Sequence, residues 1–168
     1  MYSRILLFFT AFLLFAFYSC DNKKSKTPTE QIFEFRSHLT YNDTLQMLQI
    51  CDNAMELLKQ RNIDEVIASL NEYDPETKQV LPLSEASIKS YRRTFNMFPV
   101  LEYERVYFSF LLEGCNDVKY SVTFRTPDES GTNESAKTAF MFNPVKVNDT
   151  WKLCVKTSND KIETTLRR

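Results

Sequence analysis

The stretch Arg105–Arg125, RVYFSFLLEGCNDVKYSVTFR, decides the fold class. Val106, Phe108, Phe110 and Leu112 alternate with Arg105, Tyr107, Ser109 and Leu111. Side chains of a strand point alternately to its two faces, so this period of two predicts a strand with one apolar face. Gly114-Cys115-Asn116-Asp117 supplies turn residues, and Val118, Tyr120, Val122 and Phe124 then alternate with Lys119, Ser121, Thr123 and Arg125. The pair predicts a long antiparallel hairpin with one wet face.

The period holds downstream. PDESGTNESA (127–136) is a polar loop. AFMFNPVKV (139–147) is a strand interrupted by Pro144, which predicts a bulge or a sheet edge. Asn148-Asp149 turns the chain, after which Trp151, Leu153 and Val155 point inward and Lys152, Cys154 and Lys156 outward. The residues from Ser158 form a polar tail.

Upstream the period is helical. Met47, Leu48, Ile50, Cys51, Ala54, Met55, Leu57 and Leu58 share one half of a helical wheel, and Asp43 with Gln46 has the spacing of a capping box. A second helix starts at Asn62, with a stripe of Ile63, Val66, Ile67, Leu70 and Tyr73, and ends at Asp74-Pro75. KQVLPL (78–83) is a short strand or a connector. Ser84 caps a third helix with a stripe of Ile88, Tyr91, Phe95 and Phe98, stopped by Pro99. Residues 30–41 show no clear period and stay unassigned. The order predicts an α+β domain over residues 42–157, with three helices on one face of a curved four-stranded antiparallel sheet.

Composition removes several function classes. The chain has 168 residues, enough for one domain, and a net charge of −1, which gives no electrostatic reason to bind nucleic acid. Two glycines, Gly114 and Gly131, exclude a glycine-rich phosphate loop. The one histidine, His38, and the scattered cysteines exclude a multi-histidine or multi-cysteine zinc motif, and no cofactor is expected. Cys51 falls on the buried helical arc. Cys115 and Cys154 read as accessible thiols, with a Cys115–Cys154 bridge as the alternative.

The element order, LLKQRNIDEVIASL (57–70) and NDTWKLCVK (148–156) together resemble the cystatin-like or nuclear-transport-factor-2-like superfamily of cone-shaped α+β domains, over about Asn42 to Thr157. The resemblance implies that an enzyme of this kind, an isomerase or dehydratase, would hold an inward Asp or His as base, aided by Tyr or a second acid. It also implies that a homodimer could form through the outer face of the sheet. The inward positions here carry no Asp, Glu or His. The remaining catalytic candidates are Glu102 and Glu104, about 7 Å apart on one strand parity. Tyr91, Tyr120, Phe124 and Trp151 are the candidate lining of a pocket for a small apolar ligand.

The N-terminus completes the reading. Ile5 to Tyr18 is apolar over 14 residues, shorter than the roughly 20 needed to cross a bilayer, and lies behind Arg4. Phe17-Tyr18-Ser19-Cys20 resembles the lipobox of bacterial lipoproteins. That resemblance implies a signal peptide over 1–19, a diacylglyceryl thioether and amide-linked acyl chain on Cys20, and a protein exported and held at the envelope, in the outer membrane. Residues 20–41, with Lys23, Lys24, Lys26 and Pro28, would then act as a tether. Asp43-Thr44-Leu45 also resembles an O-glycosylation acceptor of exported bacterial proteins, although a helix cap already explains Asp43. The sequence therefore predicts a lipid-anchored binding or interaction domain, with an enzyme or a structural envelope component as alternatives.

Overall fold

The computed structural model describes residues 26–126 and 135–156. The segment expected to be a signal peptide, Cys20, most of the 127–136 loop and the tail lie outside them. The described chain is α+β. Four helices, α1 (Pro28–Ser37), α2 (Tyr41–Lys59), α3 (Ile63–Ser69) and α4 (Glu85–Met97), accompany six strands. The strands are β1 (Asn71–Asp74), β2 (Gln79–Pro82), β3 (Glu102–Leu112), β4 (Cys115–Arg125), β5 (Ala136–Val147) and β6 (Thr150–Val155). The sheet order is β2-β1-β6-β5-β4-β3. Every pairing is antiparallel except β1 with β6, which is parallel and rests on one pair, Asn71 and Cys154.

The expectation of three helices on four antiparallel strands is therefore corrected in number and in the mixed character of the sheet. The first extra element is α1, inside the segment read as a tether. Its cap is local: Thr27 accepts from the Glu30 N–H, Glu30 accepts from the Thr27 N–H, and Pro28 opens the first turn. No residue of α1 is buried, which is why no apolar period marked it. The second extra element is β1. Leu70 and Tyr73 continue the spacing of the α3 stripe, but the backbone is already extended at Leu70. The Asn71 side chain donates to the Leu153 carbonyl and draws the chain onto β6. KQVLPL resolves as a strand, β2.

The start of α2 lies earlier than the Asp43 cap expected. Thr40 is the cap and Asp43 is its third residue, donating its N–H to Thr40 Oγ1 at 3.1 Å and accepting the Thr40 N–H at 2.9 Å. The Asp43 carboxylate also accepts from Trp151 Nε1 at 3.3 Å and pairs with Lys146 Nζ at 2.8 Å. One buried carboxylate thus caps the helix and fastens it to the β5–β6 hairpin. That hairpin turns at Asn148 and Asp149, both at positive φ, as a two-residue turn requires. Behind it α2 lies on β4–β6, with Met47, Cys51, Met55, Val118, Tyr120 and Val122 wholly buried.

Two strands depart from strict alternation. In β3 the register shifts between Arg105 and Tyr107, so Val106 is an extra residue. Tyr103 and Arg105 therefore turn toward α2, while Val106 and Phe108, expected inward, are 54% and 44% exposed. In β5, Pro144 sits in a central strand and not at an edge. The β4–β5 ladder ends at Val118 and Phe142, and two buried asparagines take its place. The Asn116 N–H donates to Asn143 Oδ1 at 2.8 Å, Asn116 Nδ2 to the Pro144 carbonyl at 2.8 Å, and Asn143 Nδ2 to the Gly114 carbonyl at 2.9 Å. The proline is tolerated because side chains supply what its missing N–H cannot.

The outer face is not uniformly wet. On it Cys115 and Asp117 are buried, and Asp117 pairs with Lys156 at 2.6 Å. The cover is the β1–β2 hairpin. In a flat sheet β1 lies three strand spacings, about 14 Å, from β4. Yet the Tyr73 ring touches Gly114 so closely that a Cβ there would meet it at 2.1 Å. The hairpin has folded over the outer face.

Two stability outcomes are expected. Asn143→Ala strands the Asn116 N–H and the Gly114 carbonyl in the interior and should lower stability by about 3 kcal/mol, read from urea unfolding at unchanged m-value. Lys146 first, and the Thr40 N–H second, hold the Asp43 carboxyl well below the usual carboxylate range. The unfolded chain takes up this proton near pH ~4 and the folded chain only at lower pH, so the stabilisation is full above about pH 5 and fades below about pH 4. Asp43→Asn should cost about 2 kcal/mol at neutral pH, and the gap to the parent should close on acidification.

Candidate functional site

Three pieces of chain meet at the covered end of the sheet. The inward side of α1 brings Gln31, Glu34, Phe35 and His38, the β1–β2 hairpin brings Tyr73, Pro75 and Lys78, and the β3–β4 turn brings Leu112, Glu113, Gly114 and Cys115. Between them lies a cleft of about 660 Å³, within the range of small-molecule sites. Its shape follows from two backbone features. Gly114, at φ 78°, lets β3 turn into β4 in two residues and lets the Tyr73 ring lie flat on the turn. Lys78 is held at φ 56° after an aspartate turn in which Asp74 accepts from the Glu76 N–H and the Thr77 hydroxyl. The third wall is tied down where Arg36 Nε donates to the Phe110 carbonyl.

The lining is amphipathic. Phe35, Pro75, Leu112 and the Tyr73 ring give it apolar walls. Lys26 pairs with Glu34 at 2.6 Å at the mouth, and this ammonium holds the Glu34 carboxyl below its ordinary value. Burial raises the Tyr73 hydroxyl, reinforced by Glu113 and Asp74, so it stays protonated as a hydrogen-bond donor or acceptor. Cys115 lies at the base, 4% exposed.

A second polar group stands where α2 crosses β3 and β4. Tyr120 donates its hydroxyl to Asp52 at 2.6 Å, Arg105 pairs with the same carboxylate at 3.0 Å, and Tyr103 donates to Glu56 at 3.3 Å. Burial first, then this hydrogen bond, raises the Tyr120 hydroxyl far above the ordinary phenol range. Asp52 has both oxygens engaged and works as a strut between helix and sheet. It lies on the polar arc of α2, and only the bulge at Val106, which turns Arg105 inward, reveals its role.

The sequence-predicted residues are dispersed. Glu102 and Glu104 are exposed, on the strand parity opposite Tyr103 and Arg105, and so face away from the helices. Tyr120 and Trp151 are core residues, the Trp151 ring lying tilted against Phe110, while Tyr91 and Phe124 are half-buried. The space between helices and sheet, expected to hold a pocket, is filled by these side chains. Cys20 lies outside the described residues. His38, read only as a linker residue, lines the cleft. The cleft was invisible in the sequence because α1 and β1 were.

The accessible thiols expected at Cys115 and Cys154 are corrected: both are buried, and among the described residues no disulfide joins them. Burial pushes the Cys154 thiol up to about 12 and raises Cys51 as well. Among the described residues no group of His, Cys, Asp and Glu is placed to hold a metal ion. The chain matches no family model, no curated protein and no solved structure.

In a Cys20→Ser chain, dithionitrobenzoate should label none of Cys51, Cys115 and Cys154 in the native state at about pH 8 and all three in guanidinium, because only the accessible thiolate reacts. A rapidly labelled native thiol would contradict the burial described above.

Proposed function

We propose that this protein is an exported lipoprotein, anchored through Cys20, whose domain binds a small amphipathic molecule in the cleft beneath α1 without transforming it. The observation that carries the reading is the closeness in sequence of two features. The lipobox-like Phe17-Tyr18-Ser19-Cys20 is followed six residues later by Lys26, which already lines the cleft. A ligand site beside a lipid anchor suits capture of a solute at the envelope surface.

Binding is favoured over catalysis by the chemistry of the carboxylates. Asp52 is committed to Tyr120 and Arg105 and, of the two cleft carboxylates, Glu34 to Lys26; the other, Glu113, sits beside Tyr73 and helps to keep its hydroxyl protonated. Glu102 and Glu104 are exposed and do not line the cleft. A general base needs a carboxylate within reach of substrate and released from competing donors. Among the described residues no helix is long and apolar enough to cross a membrane. The cystatin-like kinship is part of the same proposal, supported by α2 lying along one face of the antiparallel strands β4–β6.

Mass spectrometry of the protein purified from a bacterial host tests the anchor. The expected N-terminal peptide starts at Cys20 and carries acyl chains, whereas a bare cysteine or cleavage elsewhere would refute it. A thermal-shift screen of small amphipathic compounds tests the cleft. A ligand at about one hundred times its Kd stabilises by about 2.7 kcal/mol, enough to raise Tm by several degrees. Gln31→Trp, which fills the cleft from α1, should abolish that shift. Compounds that stabilise the parent and this variant equally would place binding elsewhere.

A further inference from the structure

The geometry points to an interaction surface of a definite kind: the outer side of α1 and the first turns of α2 rest on the bilayer that holds the Cys20 lipid. The inference builds on the lipid-anchor reading and concerns a different part of the chain. Lys26 is six residues beyond Cys20, a separation of at most about 22 Å when the chain is fully extended. The α1 helix itself is only about 15 Å long. The domain must therefore present this end to the membrane.

What it presents there is apolar and poor in free charge. On α1, Gln31 and Phe35 line the cleft. Phe33 is two residues from each, about 200° around the helix, so it points the opposite way. It is 76% exposed. Of its charged neighbours, Glu30 is engaged in the Thr27 cap and Arg36 donates to the Phe110 carbonyl. On α2, Tyr41 is 78% exposed and Leu45, one turn on, is 47% exposed. Single exposed apolar residues are ordinary, so their setting decides. From Ser37 to Cys51 the chain runs fifteen residues with Asp43 as its single Asp, Glu, Lys or Arg, in a protein that is 26% charged. That one carboxylate is 6% exposed and neutralised by Lys146. The helix face around Tyr41 and Leu45 thus carries Asn42, Thr44, Leu48 and Gln49 and no charge turned to water. A water-facing helix is normally charged on its outer side. A surface with Phe, Leu and Tyr, on which the two exposed charges Glu30 and Arg36 are of opposite sign and each hydrogen-bonded, fits the headgroup boundary of a bilayer, where Tyr is enriched. In this arrangement α1 lies between membrane and cleft, its two sides serving one each.

Tryptophan quenching by brominated lipid tests the surface. The acylated chain is reconstituted into phosphatidylethanolamine–phosphatidylglycerol vesicles containing brominated phosphatidylcholine, as Phe33→Trp, Tyr41→Trp and Lys137→Trp variants. Trp151, buried, is their common background. Lys137 is exposed and pairs with Thr123, eight residues and about 27 Å along β4 from Cys115. The expected result is a loss of half or more of the added emission at positions 33 and 41 and none at 137. If the host leaves Cys20 bare, the anchor reading fails on its own, and a maleimide phospholipid coupled to Cys20 poses the surface question unchanged, since the other thiols are buried. Equal quenching at 33, 41 and 137, or none at all on a vesicle-bound chain, overturns the inference. Blue-shifted but unquenched added emission from the Phe33→Trp variant, with a doubled sedimenting mass, also overturns it and assigns the face to a second copy.

Discussion

The carboxylate of Asp43 is the point on which the architecture turns. It closes the first turn of α2 by exchanging hydrogen bonds with Thr40, and it reaches Lys146 and Trp151 on the two arms of the last hairpin. A charge so thoroughly buried is tolerable only when paired and hydrogen-bonded, and here every donor comes from a different part of the fold. The same contacts that satisfy the charge fix where the helix crosses the sheet. Met47, Cys51 and Met55 then follow at helical spacing into the core, where they pack with Val118, Tyr120 and Val122.

Room appears instead on the other face, because the sheet is mixed. A single parallel pair at Asn71 lets β1 join β6 and then leave, carrying Tyr73 across to Gly114. The cover so formed lies over Cys115, Asn143 and the Asp117–Lys156 pair. The interior accommodates these polar groups because each bonds to another or to backbone left open by Pro144. The cleft is the gap that remains when α1 comes to rest beside this cover. Its walls belong to three segments far apart in sequence, and its roof is α1.

This arrangement gives the functional proposal its coherence. Asp52 is engaged in holding the fold between Tyr120 and Arg105, and Glu34 in pairing with Lys26. The amphipathic surfaces are left for recognition. The side of α1 that lines the cleft is mixed in polarity, and the opposite side carries Phe33 to the exterior. A helix with no buried residue is hard to maintain unless both of its faces are used.

Local pattern alone determined the strands β3 to β6 and the helices α2 to α4. Each has a period of its own, a capping residue such as Ser84, or a turn such as Asn148-Asp149, so short-range physics suffices. It could not determine α1, whose residues bury nothing, or β1, whose Leu70 and Tyr73 mimic a helical stripe until Asn71 finds β6. Nor could it foresee that an extra residue at Val106 would turn Arg105 inward, or that two asparagines would hold Pro144 in a central strand. Those outcomes depend on partners tens of residues away. The cleft, built wholly from such long-range meetings, was decided by tertiary structure.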